Sequence, residues 1–265
     1  MMREALHTDH LTAAEASKLR GLIQWLDSAI DGKPCRGSSL ALSYRQYHDP
    51  EHRKITIVLR QTLHYLMLVI ARIPARTIFT MKTSTPIVIY TDCSEDNRQQ
   101  RIGALILGCG TVPLCGSWDV PSWVLDSAWC ERKQYINQGE LLAGPLLAVC
   151  HTALLRGADV LWFIDNTSAL AALIKGSSGV PDSARLAMRA TATLTACRCR
   201  VWYEYVASAQ NPADVLSRAA WQDARVRQNI QDGLWKRLPA IPVDWAHLTG
   251  SSLEDLWSDI EALGI

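Results

Sequence analysis

Apolar residues recur at helical spacing in two stretches near the N-terminus. Thr12-Ala-Ala-Glu15 has the form of a capping box, and Leu19, Leu22, Ile23, Leu26 and Ile30 follow it up to the break Gly32-Lys33-Pro34. A second stretch, 51–72, carries Ile55, Val58, Leu59, Leu63, Leu66, Met67 and Ile70, and Pro74 ends it. Residues 1–85 therefore read as a small helical unit. From Pro86 the period changes. Ile87-Val-Ile-Tyr90 and Ile102 to Leu107 are short β-branched runs, and Gly108-Cys109-Gly110 turns the chain into Val112 to Trp118. Three consecutive strands predict an antiparallel meander.

Further on, Glu140 to Arg156 reads as a helix and Val160-Leu-Trp-Phe-Ile164 as a continuous apolar strand buried on both faces. Thr167 to Lys175 is a predicted helix, 176–181 a loop, Asp182 to Cys199 a long helix and Val201 to Val206 a strand. Asn211-Pro212 then opens another helix, with Asn as N-cap and Pro at the first helical position. The order β-β-β-α-β-α-α-β-α describes an α/β fold, a mixed five-stranded sheet of three antiparallel and two parallel strands flanked by helices, over residues 86–220. In 221–265, Trp221, Trp235, Trp245 and Trp257 are scattered among Pro239 and Pro242, which predicts an irregular tail.

Four carboxylates stand out against this pattern. Asp92 and Asp165 each directly follow a predicted strand, so if the two strands are neighbours both side chains emerge at one end of the sheet. Glu140 shares a helix face with Ala143, Gly144 and Leu147, the face that packs on the sheet. Asp214 falls in the first turn of its helix, where the macrodipole tolerates an anion. Taken singly, Asp214 also reads as a helix N-terminal acid, Asp165 with Asn166 as a helix cap, Glu140 as a surface residue and Asp92 as the start of a turn. Together they suggest a divalent-metal site, because desolvated anions need a cation or hydrogen bonds to compensate them.

Composition narrows the class. The chain has 265 residues, 48% of them hydrophobic, enough for a real core. Its net charge of +1 hides an uneven distribution, with the N-terminal part the more basic. Eight cysteines form no C-x-x-C pair and no Cys/His cluster, which excludes the common zinc spacings and fits reduced thiols used as small core residues. No secretory leader opens the chain and no apolar run reaches the roughly 20 residues of a membrane span, so an intracellular, soluble protein is expected. Helical sequence starting by residue 12 fits a segment of a longer polyprotein.

The motifs Ile89-Tyr-Thr-Asp92, Gly139-Glu-Leu-Leu-Ala143, Phe163-Ile-Asp-Asn166 and Asn211-Pro-Ala-Asp214-Val-Leu-Ser-Arg218, with Ala169 and Lys175-Gly176, resemble the ribonuclease H domain of retroelement reverse transcriptases of the long-terminal-repeat and DIRS types. The helical segment before it, with Leu19-Arg20-Gly21 and Arg45-Gln46-Tyr47, looks like the connection between thumb and ribonuclease H. No Tyr-x-Asp-Asp motif occurs, so the chain is not itself the polymerase, which the resemblance implies as a partner in cis or in trans.

The resemblance implies that Asp92, Glu140, Asp165 and Asp214 bind two Mg²⁺ ions, with Mn²⁺ a possible substitute, and that the substrate is an RNA/DNA hybrid. Asn166, Lys175, Arg185, Arg189 and Arg218 are the candidate nucleic-acid contacts, Arg185 and Arg189 forming an i, i+4 pair; Lys133 is a further one. Two departures count. The loop histidine of many members is missing from Val206-Ala-Ser-Ala-Gln210, where Ser208 or Gln210 could position a water, and 176–181 is too short for a basic protrusion. Alternative functions are an inactive structural module and a DNA-cutting enzyme of the same fold. The position of Glu140 between the first two aspartates is against the latter, since integrases and transposases place the glutamate last.

Overall fold

The computed structural model describes residues 1–30, 32–49, 54–73, 75–76, 85–110, 112–129 and 134–250. Four helices open the chain: α1 Met2–Thr8, α2 Ala13–Asp27, α3 Ser38–Tyr47 and α4 Ile57–Arg72. The Thr12 capping box is present, with Thr12 Oγ1 accepting from Glu15 N and Thr12 N donating to Glu15 Oε2. Helix α3 was not foreseen. Its apolar positions are few, and it forms because Leu42 is enclosed by its neighbours. The second predicted helix starts at Ile57, where Thr56 caps it, and not at residue 51; residues 51–53 and Pro74 lie outside the described ones.

The sheet follows as β1 Ile87–Asp96, β2 Gln99–Leu107 and β3 Leu114–Val120, then α5 Ser122–Ala128, α6 Ile136–Cys150 and α7 Thr152–Leu155. It continues with β4 Asp159–Ile164, α8 Thr167–Lys175, α9 Pro181–Ala196 and β5 Arg200–Tyr205. The chain then forms α10 Asp214–Arg218, α11 Ala224–Gln231, β6 Lys236–Arg237 and α12 Trp245–Thr249. The sheet order is β5-β4-β1-β2-β3-β6. β1 is antiparallel to β2 and β2 to β3, while β4 runs parallel to β1, β5 to β4 and β6 to β3. The architecture is α/β, a six-stranded mixed sheet flanked by helices.

Six strands replace the expected five because two residues of the tail, Lys236 and Arg237, pair with the edge strand β3. Nor is the tail irregular up to Gly250. Asp223 caps α11 through the amides of Arg225 and Val226, and Asp244 caps α12. β1 also runs past its apolar residues to Asp96, because the Asn97-Arg98 turn, both residues in the left-handed region, keeps it paired with β2. Asp92 therefore lies within the strand and not after it.

β4 alternates in burial: Val160, Trp162 and Ile164 are enclosed, while Leu161 and Phe163 are half-buried. The expectation of burial on both faces fails because α6, α8 and α9 cover one face, whereas the other carries only the short α10 and α11 over β1 to β3. Phe163 stacks there on Tyr90 of β1, ring centroids 4.8 Å apart. One hydrophobic cluster includes Leu59, Leu63 and Leu66 of α4 as well as Ile89, Trp162, Leu142 and Ala190 of the sheet and its helices. Of the seven cysteines among the described residues most are buried, as expected of core thiols; Cys130 lies outside the described residues.

Candidate metal centre

The sheet register brings two of the acids together. Thr91 of β1 pairs with Ile164 of the parallel β4, so Asp92 and Asp165 leave adjacent strands at the same level. Glu140 arrives from α6, which starts at Ile136, earlier than predicted, and ends at Cys150, where His151 breaks it. One ligand oxygen from each of Asp92, Glu140 and Asp165 lies within 4.8 Å of the others, and this acidic cluster could hold a metal ion.

Small residues make the approach possible. A Cβ on Gly139 would stand 2.2 Å from Cys93 Sγ, so only glycine lets α6 come down on β1 one residue before Glu140. Gln100 of β2 donates from Nε2 to Tyr135 O at 2.7 Å, and Glu95 Oε2 accepts from Tyr135 N at 2.8 Å, which fixes the start of the helix. Glu140 then accepts from Cys93 N at Oε1, 2.8 Å away. Its second oxygen, Oε2, is buried and has no hydrogen-bond partner among the described residues.

An orphaned carboxylate oxygen inside a ring of carboxylates is the arrangement that a hard divalent cation satisfies. Burial, with Asp92 and Asp165 adding like charge, raises the Glu140 carboxyl well above its ordinary range; the Cys93 amide opposes this. Burial likewise pushes Asp92 up to about 6, against the Ser217 hydroxyl that donates to its Oδ2 and the nearby Arg218, with Asp165 and Asp214 adding to the rise. Both groups pay for being anions in this place.

Asp214 is not part of this trio. It starts α10, with Ala213 as N-cap; the helix does not begin at Pro212, because Asn211 Oδ1 accepts from Ala213 N and closes a turn first. Asn211 Nδ2 donates to Thr91 O at 2.9 Å and ties that turn to β1 beside Asp92. The Asp214 carboxylate accepts from Arg218 Nε at 2.7 Å, one helical turn on, and Asp214 remains close enough to add to the rise at Asp92.

Asp92 pairs across the ladder with Gly103, and α10 docks on that glycine: a Cβ there would meet Ser217 N at 2.5 Å and Ala213 O at 2.8 Å. Gly103→Ala should thus push α10 off the sheet. We expect a loss of about 2–3 kcal/mol, read as a lower denaturation midpoint at unchanged slope. An unchanged midpoint would show that α10 does not rest on this position.

The predicted nucleic-acid contacts separate. Asn166 Oδ1 accepts from Ser168 N and Ala169 N, so it caps α8 while its neighbour Asp165 faces the cluster. Lys175, at the far end of α8, and Arg185 are exposed. Arg189, expected to share a face with Arg185, is only 5% exposed and donates to Gly250 O, so the pair does not present two cations to solvent. Arg218 is held by Asp214, and Lys133 lies outside the described residues. Trp129 and Tyr135 are buried and stack on each other, ring centroids 6.4 Å apart.

Sequence reasoning missed Ser217, Gly103, Gly139 and the Cys93 amide. Ser217 and Gly139 could have been found, since both lie inside the quoted motifs, Ser217 one turn after Asp214 and Gly139 just before Glu140; the others show only in the register. Comparison with family models, with curated proteins and with solved structures gave no match. Among the described residues no helix is long and apolar enough to cross a membrane.

Proposed function

We propose that the acidic cluster is the catalytic centre of a ribonuclease H-type endonuclease, which hydrolyses the RNA strand of an RNA/DNA hybrid as part of a retroelement reverse transcriptase. One observation carries the reading: Asp92, Glu140 and Asp165, taken from β1, from α6 and from the end of β4, bring carboxylate oxygens within 4.8 Å of one another, and Glu140 keeps a buried oxygen that nothing in the described chain satisfies. The strand order β5-β4-β1-β2-β3 and the place of Asp214 on the helix after β5 agree with it.

Asp92, Glu140 and Asp165 would hold Mg²⁺ or Mn²⁺, with Asp214 the fourth acid beside them. When bound, two such ions supply charge that neutralises the carboxylates and favours in-line displacement at a phosphodiester. The protein supplies the rest. Cys93 N–H fixes one oxygen of Glu140 so that the other faces the cluster, and Ser217 orients Asp92. Asn166 caps α8 and so fixes the backbone next to Asp165. The 206–210 segment offers the exposed Ser208 and Gln210 in place of a histidine, so proton transfer there would pass through solvent ordered by a hydroxyl and an amide.

The test uses three labelled duplexes of one sequence, RNA/DNA, DNA/DNA and RNA/RNA, with Mg²⁺ or Mn²⁺. Cleavage confined to the RNA strand of the hybrid by the native protein, and none by Asp165→Asn, is expected, because 2′-OH and groove shape distinguish the hybrid. Equal cleavage by both proteins, or none by either, would sink the proposal.

A further inference from the structure

A second charged feature lies at the opposite end of α8 from Asp165. Between α2, α3 and the segment after α8 is a cavity of about 590 Å³ whose walls include Arg20, Lys33, Arg36, Ser39, Ser43 and Ser177. Lys33 and Arg36 are exposed, Arg20 is half-buried, and none of the three has an ion-pair partner among the described residues. The one acid in the wall, Asp27, is 7% exposed; its Oδ1 accepts from Cys35 N at 2.9 Å, and burial raises its carboxyl while the Cys35 hydrogen bond, Arg36 and Lys33 oppose the rise. Arg20 is held in place from two sides. Its Nη1 donates to Ser43 Oγ at 3.2 Å and its guanidinium lies over the Tyr47 ring, 5.5 Å from the centroid. Three cations with hydroxyl donors against a single buried carboxylate leave the cavity a surplus of positive charge, which favours an anion with several oxygens.

The cavity is fixed relative to the acidic cluster. A Cβ on Gly37 would stand 2.8 Å from Gly176 O, and Gly176 closes α8 in the left-handed conformation, so the 32–37 turn packs directly on the end of that helix. Nine helical residues span about 13 Å, so Asp165 and the turn that lines the cavity lie at opposite ends of one short helix.

Resting on the nuclease reading, we propose that the Arg20–Lys33–Arg36 cavity holds the phosphodiester backbone of the same nucleic acid that reaches the acidic cluster. The helical segment 1–85 then supplies the grip that the short 176–181 loop does not. Phosphate contacts of this kind set affinity and register without reading sequence.

The experiment separates grip from cut. Binding of a labelled RNA/DNA hybrid to the full chain is measured in EDTA over a range of salt, for the native protein, for Lys33→Glu/Arg36→Glu and for Arg227→Glu/Lys236→Glu, which makes the same charge change at exposed positions elsewhere. We expect the first variant to weaken binding about tenfold or more and to reduce the slope of log K against log salt by about two, with the second close to native. Equal loss in both variants, no loss in the first, or no binding by the native protein overturns the cavity. Cleavage in Mg²⁺ is read separately. Groove-dependent binding without cleavage would leave the cavity standing and remove the nuclease reading; undiminished kcat/KM in Lys33→Glu/Arg36→Glu would do the reverse.

Discussion

Glu140→Gln should give a protein that is more stable without metal than the native one and inactive with it. The amide is the same size as the carboxylate. Its carbonyl can keep the bond from Cys93 N–H, and its N–H₂ replaces the buried oxygen that has no partner with a donor facing Asp92 and Asp165. In the native protein at neutral pH, folding must either bury this carboxylate or protonate it, because burial raises it well above its ordinary range. Removing that penalty is worth on the order of 1–3 kcal/mol in EDTA. The gain should fade as the pH falls below the ordinary glutamate value, where the unfolded chain is protonated as well. With Mg²⁺ present the order should reverse: the native protein gains stability, the variant does not, and hybrid cleavage falls by roughly 10³-fold or more. Thermal unfolding with and without Mg²⁺, next to a cleavage assay, reads all three. A variant no more stable than the native protein in EDTA would mean that Glu140 is already compensated by something other than a metal.

The second large effect concerns pH. Asp92 has an ordinary value of 3.8 and is raised to about 6 in the fold, first by burial and then by Asp165 and Asp214. A raised carboxyl binds its proton more tightly folded than unfolded. Its contribution is therefore harmless below about pH 4, and stability is lost as the pH rises from about 4 to 6. The shift of about two units corresponds to about 3 kcal/mol. Asp92→Asn should thus gain stability over the native protein in EDTA, with the difference opening between pH 4 and 6 and constant above. Saturating Mg²⁺ should close it, since a cation at 100 times its dissociation constant returns about 2.7 kcal/mol. Denaturant midpoints for the two proteins from pH 4 to 8 give the comparison. A difference that is flat across this range would remove the burial penalty at Asp92.

How much of this could be read in the chain follows from which interactions are local. The α8 helix was legible to the residue, because its N-cap Asn166 and terminal Gly176 are local signals. The capping box at Thr12 and the order of the five main strands were legible for the same reason. Helix α3 and the β6 pairing were not, since α3 takes its place from packing between α2 and α4, and Lys236 from a strand far back along the chain. Of the acids, Asp92 and Asp165 were expected together on the condition that their strands are neighbours, as they are, and Glu140 on the helix face that packs on the sheet. Asp214 was assigned to the same set, but its carboxylate is engaged by Arg218, an i, i+4 contact that competes with any longer reach. Arg189 misled because helical spacing says which residues share a face, not whether that face is solvent or, as here, the backbone at Gly250. Gly103, which allows the close approach of α10, carries no signal until the register is known, and Gly139, although inside a quoted motif, shows its role only there.

Helix α8 is locked at both ends, by Asn166 at the first and by Gly176 against the 32–37 turn at the second. It behaves as a lever of fixed length with Asp165 just before one tip and the basic turn at the other. Residues 32–37 and Asp165 are thus joined through one short helix, which makes the N-terminal helices part of the mounting of the acidic cluster as well as its neighbours.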